Sequence, residues 1–167
     1  AVGMATDIPP HNLTDVVKAT IALIDNPKMT IPDLMEYIPS PDFPTSAEII
    51  SSSEDMLEMY STGRGSVKLR ATYEIENGEI VINALPYQVS TSKILEQIAA
   101  QIDSKKINLI EDLRDESDEE NPSRIIVVPR SNRIDKDALM SHLFATTDLE
   151  KNVRVNINAF MFTLTFF

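Results

Sequence analysis

The stretch VKLRATYEIENGEIVINAL, residues 67–85, decides the fold of this chain. Apolar and polar residues alternate strictly over residues 67–75, a pattern typical of a half-buried strand. Asn77 and Gly78 then predict a type I′ hairpin turn, because both central residues of that turn need a positive φ. A return strand over residues 79–85 completes the hairpin. The cross-strand pairs expected on one face are Ile75 with Ile80, Tyr73 with Ile82 and Ala71 with Ala84.

Helices and further strands are expected on both sides of this hairpin. Helical periodicity and capping residues predict helices over residues 13–25, 30–38, 53–61, 92–105 and 135–146. Short apolar or alternating runs predict strands over residues 48–50, 124–130 and 153–157. Because helices come first and one hairpin is clearly antiparallel, we predict an α+β fold. Its antiparallel or mixed sheet carries helices on one face and is preceded by a short helical segment.

The composition limits the classes of function. The chain has 167 residues, no cysteine and a net charge of −11. Taken alone, this charge argues against nucleic-acid binding, which depends on Lys and Arg to neutralise phosphates. The acidic run DLRDESDEE, residues 112–120, is expected to be a solvated loop. No run is apolar enough to span a membrane and no signal peptide is recognised, so we expect a cytoplasmic location.

No complete catalytic or metal site is recognised in the sequence. The two histidines, His11 and His142, lack metal-ligand spacing, and the acidic run lacks the central glycine of a calcium loop. None of the four tyrosines lies directly beside an arginine that would help to form a phenolate. We interpret these residues as structural, and we expect no catalytic residue, metal ion or cofactor site in this chain.

Two stretches do suggest a binding surface. Ile8 precedes Pro9 and Pro10, so it lies on a stiff, non-helical segment and either fills a core or acts as an apolar wedge. Farther along, Arg64 lies between two glycines, and Lys68 and Arg70 follow on the polar face of the predicted strand. These three cations form either an ordinary solvated strand face or a contact for phosphates.

Seven sequence motifs occur in the same order in the A subunit of bacterial type IIA topoisomerases, which this chain resembles from Ala1 to about Asn158. The motifs are GMATDIPPHNL (3–13), PDFPT (41–45), TGRGSVKLRA (62–71), LPYQV (85–89), LRDESD (113–118), VPRSNR (128–133) and HLFATTDLE (142–150). The last of these, and LPYQVS at residues 85–90, resemble the topoisomerase IV branch more than the gyrase branch.

The resemblance implies a position in the breakage–reunion core of such an enzyme. Residues 1–40 would be the end of the winged-helix region with its connecting helices, and residues 41–158 the tower domain. Ile8 would insert between base pairs of the bent DNA segment, and Arg64, Lys68 and Arg70 are the candidate backbone contacts. The family's catalytic tyrosine would lie upstream of Ala1, which therefore looks like a cut through a longer chain.

The resemblance also implies partners. The whole enzyme would pass one DNA duplex through another in an ATP-dependent reaction, with ATP and Mg²⁺ bound by the partner B subunit. The expected partners are double-stranded DNA, the topoisomerase IV B subunit, and a second A subunit in an A2B2 assembly. Residues 159–167, AFMFTLTFF, depart from the family and form an atypical aromatic tail. Two alternatives stay open: a gyrase A subunit fragment, or a non-catalytic acidic protein-interaction domain.

Overall fold

The computed structural model describes residues 5–159, and the α+β fold with antiparallel sheets is confirmed. Apart from Ala159, the aromatic tail lies outside the described residues. The elements, in chain order, are α1 Leu13–Asp25, α2 Ile31–Met35, β1 Glu48–Ile49, α3 Ser53–Thr62, β2 Arg64–Arg70, β3 Thr72–Glu76, β4 Glu79–Ala84, α4 Thr91–Asp103, β5 Ile110–Asp115, β6 Ile125–Pro129, α5 Lys136–Thr146 and β7 Glu150–Asn156.

The strands form two sheets, one with the order β1-β2-β7 and one with the order β3-β4-β6-β5. The described chain also divides into two compact units. The first unit contains residues 5–42, 51–67 and 153–159, and the second contains residues 43–50 and 68–152. The divisions fall in the proline-rich connector after Asp42, after Ile50, and inside β2 and β7.

The predicted hairpin is present, with Asn77 and Gly78 at its turn and φ values of 50° and 90°. Ile75 pairs with Ile80 and Tyr73 with Ile82, as predicted. The third pair is wrong: a bulge between Thr72 and Tyr73 places Thr72, rather than Ala71, opposite Ala84. A bulge adds one residue to one strand and bends it.

The strand predicted over residues 67–75 is in fact two strands, β2 and β3, in different sheets. Ala71 separates them, and its N–H donates to the Leu149 carbonyl at 2.7 Å instead of continuing the hairpin. The alternation of burial holds through Ala71, but Ile75 is 52% exposed. Its predicted packed position is therefore wrong, because β3 is an edge strand and Ile75 lies beside the turn.

The core of the second unit is formed by apolar residues of the four-stranded sheet and of α4 and α5. In α4 the stripe predicted from the periodicity is confirmed, with Ile94 and Ile98 buried and Leu95 and Ile102 packed beside the core. The fully buried large side chains of this core are Ile80, Ile82, Ile94, Ile98, Ile110, Ile125, Leu139, Met140, Leu143 and Leu149.

The acidic run is only partly a loop. Its first residues, up to Asp115, belong to β5, which pairs with β6 in the register Leu113 opposite Val127. The charges tolerate strand structure here because β5 is an edge strand, whose outward side chains stay in water. Arg114 pairs with Glu79 at 2.8 Å, and Arg124 pairs with Glu76 at 2.9 Å.

Local capping signals set the helices of the first unit. The Asn12 side chain accepts from the Thr14 N–H at the start of α1, and Thr30 forms a capping box with Asp33 at α2. The second helix is shorter than the predicted 30–38, ending at Met35. The stripe predicted for α1 faces solvent, with Ile24 71% exposed. In the part of the chain described, no helix is long and apolar enough to cross a membrane.

Replacement of Ile80 by alanine should lower the free energy of unfolding by about 2–5 kcal/mol, because a fully buried side chain leaves a cavity. Its cross-strand neighbour Ile75 is half exposed, so Ile75→Ala should cost less than about 1 kcal/mol. Urea unfolding midpoints of the two variants measure the difference. Equal losses would contradict the exposed position of Ile75.

Candidate nucleic-acid interface

Ile8 projects from a segment that the fold holds on both sides. We call residues 5–12 the wedge loop. The side chain of Ile8 is 59% exposed, whereas the following Pro9 is buried. Before Ile8, the N–H of Asp7 donates to the carbonyl of Asn156 at 2.8 Å, and the N–H of Asn156 donates back at 3.0 Å. The core position considered for Ile8 is therefore wrong, and the side chain faces outward from an anchored backbone.

His11 holds the loop after Ile8. Its Nδ1 lies 2.8 Å from the Pro9 carbonyl, and its Nε2 lies 2.8 Å from the Tyr60 hydroxyl. Because a carbonyl can only accept, Nδ1 carries the proton, and in the neutral ring Nε2 accepts from the hydroxyl. Burial raises the pKa of Tyr60 to about 12, so this hydroxyl keeps its proton near neutral pH. The pair is half-buried, with ring centroids 5.9 Å apart.

The end of the wedge loop is fixed to the chain near Asp42. The N–H of Asp42 donates to the Pro10 carbonyl at 2.9 Å, and the Asn12 side-chain amide donates to the Asp42 carboxylate at 3.2 Å. Asn12 at the same time caps α1. The motion of the loop after Ile8 is therefore limited by three features: Pro9 is buried, the Pro10 carbonyl accepts a hydrogen bond, and α1 begins directly after Asn12.

Gly63 and Arg64 lie against the same segment that anchors Asp7. The N–H of Ile157, next to Asn156, donates to the Gly63 carbonyl at 2.7 Å. Gly63 has a φ of +68°, and a Cβ on it would lie 3.1 Å from the Ile157 carbonyl oxygen. The wedge loop and the backbone before Arg64 are thus tied to two successive residues of one strand end.

The glycines beside Arg64 serve the packing of the protein itself. A Cβ at Gly65 would lie 3.2 Å from Cβ of Met59, so the absence of a side chain at Gly65 leaves room for Met59. The guanidinium of Arg64 makes no hydrogen bond or ion pair with the residues that the structure describes. Its side chain is exposed.

Lys68 and Arg70 share a carboxylate in the second unit. Nε and Nη2 of Arg70 both donate to Oε2 of Glu150, at 2.8 and 2.6 Å, and Nζ of Lys68 lies 3.3 Å from Oε1. The Arg70 guanidinium also lies over the ring of Phe144, 4.8 Å from its centroid. Partial burial alone raises the pKa of Glu150, but the hydrogen bonds from the two cations hold it below its ordinary value.

The remaining histidine and tyrosines have structural surroundings. His142 is exposed, and its Nε2 lies 3.3 Å from the Gln101 side chain. Burial, with a hydrogen bond to Asp137, raises the pKa of Tyr73, which is opposite to what a phenolate nucleophile needs. Within residues 5–159, no group of three or more His, Cys, Asp or Glu side chains is arranged to hold a metal ion.

Comparison with known proteins agrees with the resemblance. Residues 1–163 match the family model for the A subunit of DNA gyrase/topoisomerase IV, and the chain belongs to this family. It is 60% identical over 158 residues to the A subunit of DNA topoisomerase 4 from Pseudomonas aeruginosa and 59% identical to that from Escherichia coli K12. The corresponding protein of Caulobacter vibrioides is 45% identical over 163 residues. Each comparison covers 95% of this chain and 21% of the relative, so the chain spans about a fifth of their length.

The sequence points to Ile8, Arg64, Lys68 and Arg70 but not to the residues that hold the wedge loop and Arg70 in place. Tyr60, Asn156 and Glu150 lie 49 to 150 residues away from the side chains or backbone they hold. No local signal identifies such partners. A single hint was available for Tyr60: it lies on the apolar face of a short helix, where a hydroxyl needs a hydrogen-bond partner.

Replacement of Glu150 by glutamine tests the shared carboxylate. The pKa of Glu150 is lowered from 4.5 in the folded state, so its stabilising effect is complete above that pH and is lost as the pH falls through the folded value. We expect Glu150→Gln to cost about 1 kcal/mol at pH 7 and to flatten the loss of stability in acid. Urea unfolding at several pH values from 7 to 3 measures both. An acid slope equal to that of the original protein would contradict the assignment.

Proposed function

We propose that this chain is the part of a topoisomerase A subunit that holds and bends a DNA duplex, with Ile8 as the apolar wedge. The observation that carries the proposal is the exposed Ile8 side chain on a loop anchored at Asp7 and at Pro9. The family of the chain supports it, because topoisomerases act on duplex DNA.

An isoleucine on such a loop suits insertion between base pairs. Apolar wedges partly unstack one base step at a cost of a few kcal/mol and kink the duplex by about 20–90°. The side chain of isoleucine is branched at Cβ and stiff, so little rotamer entropy is lost when it enters the stack. Burial of its apolar surface against the bases contributes about 1.5–3 kcal/mol, which offsets much of the unstacking cost.

Arg64 is the strongest candidate for a phosphate contact. It belongs to the same unit as the wedge loop, and both are bound to the Asn156–Ile157 segment. Contacts to phosphates position a duplex without reading its sequence, which is what a bending surface requires. Lys68 and Arg70 stay in the proposal as secondary contacts, because each would have to give up part of its interaction with Glu150 to reach a phosphate.

The cleavage chemistry is proposed to lie outside this chain. The nucleophilic tyrosine would come from another part of the A subunit, and Mg²⁺ and ATP would be bound by the B subunit. We propose that two A and two B subunits, in the cytoplasm, carry out ATP-dependent strand passage, decatenation and relaxation. On its own the chain would then be inactive, and its contribution would be the geometry of the bound duplex.

Replacement of Ile8 by alanine in the intact A subunit should lower the equilibrium between bent and straight DNA about ten- to hundredfold, because most of the buried apolar surface is lost. Fluorescence energy transfer between the two ends of a short duplex measures the bend. Ile24→Ala is the matched control, since Ile24 is a similarly exposed isoleucine of the same unit and should leave the bend unchanged. Unchanged bending and cleavage in Ile8→Ala would sink the wedge assignment.

Replacement of Arg64 by alanine should weaken DNA binding about equally for all sequences. It should reduce the slope of log binding constant against log salt by about 0.9, the contribution of one phosphate contact. Arg64→Lys is the matched control, because it keeps the charge and should keep the slope. A salt titration of duplex binding by the intact protein measures both. An unchanged slope in Arg64→Ala would remove this residue from the contacts.

A further inference from the structure

The backbone around Ile8 has few free torsions. The ring of Pro9 fixes its φ, and Pro10 confines its ψ to the extended region. The hydrogen bond from His11 to the Pro9 carbonyl selects one carbonyl direction within that region. The residue before a proline is itself confined to extended backbone, which restricts Ile8. The paired hydrogen bonds between Asp7 and Asn156 hold the other side. The His11 contact is the one part of this arrangement that depends on a side chain with rotatable bonds.

Tyr60 fixes the position of the His11 ring. Its hydroxyl lies 2.8 Å from Nε2, so the imidazole is held at both nitrogens and cannot rotate without losing a hydrogen bond. Tyr60 is carried by α3, whose start is closed by a capping box between Ser52 and Asp55 and whose end is closed by Gly63. Met59, beside Tyr60 in the sequence, is fully buried. The Tyr60 hydroxyl is therefore carried by a helix that is capped at both ends.

We propose that His11 and Tyr60 form a clamp that positions the wedge: the Tyr60 hydroxyl holds the His11 ring, the ring holds the Pro9 carbonyl, and the carbonyl sets the direction of Ile8. This inference rests on the proposed wedge function of Ile8. Both residues are positioning residues, since neither side chain needs to touch DNA.

The clamp acts on the fraction of molecules whose wedge is already in the inserting geometry. When a loop samples several conformations, its apparent binding constant falls in proportion to the fraction of molecules in the binding-competent conformation. Without the clamp, the ψ of Pro9 varies within the extended range that Pro10 still allows, and Ile8 points in the inserting direction only part of the time. The effect therefore falls on DNA bending, whereas phosphate contacts such as that of Arg64 are unchanged.

The test uses a short duplex labelled at both ends, bound by the intact A subunit together with its B subunit. Tyr60→Phe removes the hydroxyl and keeps the ring, and His11→Ala removes the imidazole. We expect each to lower the bent-to-straight ratio about three- to tenfold, with less than a twofold change in duplex affinity. His11→Asn keeps a donor near the Nδ1 position and should restore part of the bending. Tyr37→Phe is the matched control, because Tyr37 is a half-exposed tyrosine of the same unit.

Combination with Ile8→Ala separates the clamp from the wedge itself. If Ile8→Ala lowers the bent-to-straight ratio to a value that is still measurable, and the clamp variants cause no further loss in that background, the clamp acts through Ile8. If Ile8→Ala abolishes bending while Tyr60→Phe and His11→Ala bend DNA normally, the clamp is wrong and the wedge stands. If Ile8→Ala bends DNA normally, the proposed function itself fails.

Hydrogen exchange gives a second measurement that does not depend on DNA. Amides of the wedge loop should exchange faster in Tyr60→Phe than in the original protein, while those of α1, a helix of the same unit, stay unchanged. The same comparison detects a variant whose first unit has unfolded, because α1 would then lose protection too. His11→Asn would replace such a variant in the bending test. Unchanged exchange in the wedge loop of a folded Tyr60→Phe protein would overturn the clamp.

Discussion

The paired backbone hydrogen bonds between Asp7 and Asn156 join segments near opposite ends of the described chain, and the candidate interface is built on them. Side chains reinforce the junction: Thr6 donates to the Asn156 carbonyl, and the amides of Asn156 and Asn158 both donate to the Ala5 carbonyl. Closing so long a loop costs conformational entropy, which several bonds at one place can offset. Because Ile157 also bonds to Gly63, this junction sets the backbone on which both Ile8 and Arg64 stand.

The sequence predicted well whatever depends on neighbouring residues. The Asn77–Gly78 turn and the apolar stripe of α4 rest on interactions within a few residues, and both are confirmed. For α1 either Asn12 or Thr14 could serve as the cap, and the structure has Asn12. Two of the failures occur where a partner distant in the sequence determines the structure. Ala71 leaves the hairpin because its N–H bonds to Leu149, and no pattern within residues 67–75 reports that contact. The exposure of Ile75 likewise follows from which strand lies at the sheet edge.

In the candidate site, too, the sequence indicates the residues whose local pattern is unusual but not the partners that are distant in the sequence. Ile8 could be singled out because two prolines fix its backbone, and Arg64 because glycines flank it. The reason for those glycines could not be read from the sequence, since it lies in Ile157 and Met59. Nor could the sequence tell Arg64 from Arg70: the three cations look alike in the strand pattern, and only the position of Glu150 separates an engaged guanidinium from one without a described partner.

The net charge of −11 works against DNA binding, and exposed acids occur in both units. Carboxylates of Glu76, Glu79 and Glu150 are paired with arginines of the second unit, whereas Asp7, next to Ile8, is exposed. The wedge needs no charge at all. A wedge binds more strongly when its loop loses conformational entropy during folding of the chain, because that cost is then not incurred when DNA binds. A buried proline, a held carbonyl and two paired backbone hydrogen bonds meet that requirement with neutral groups, so the proposed wedge does not depend on the charges that would attract DNA.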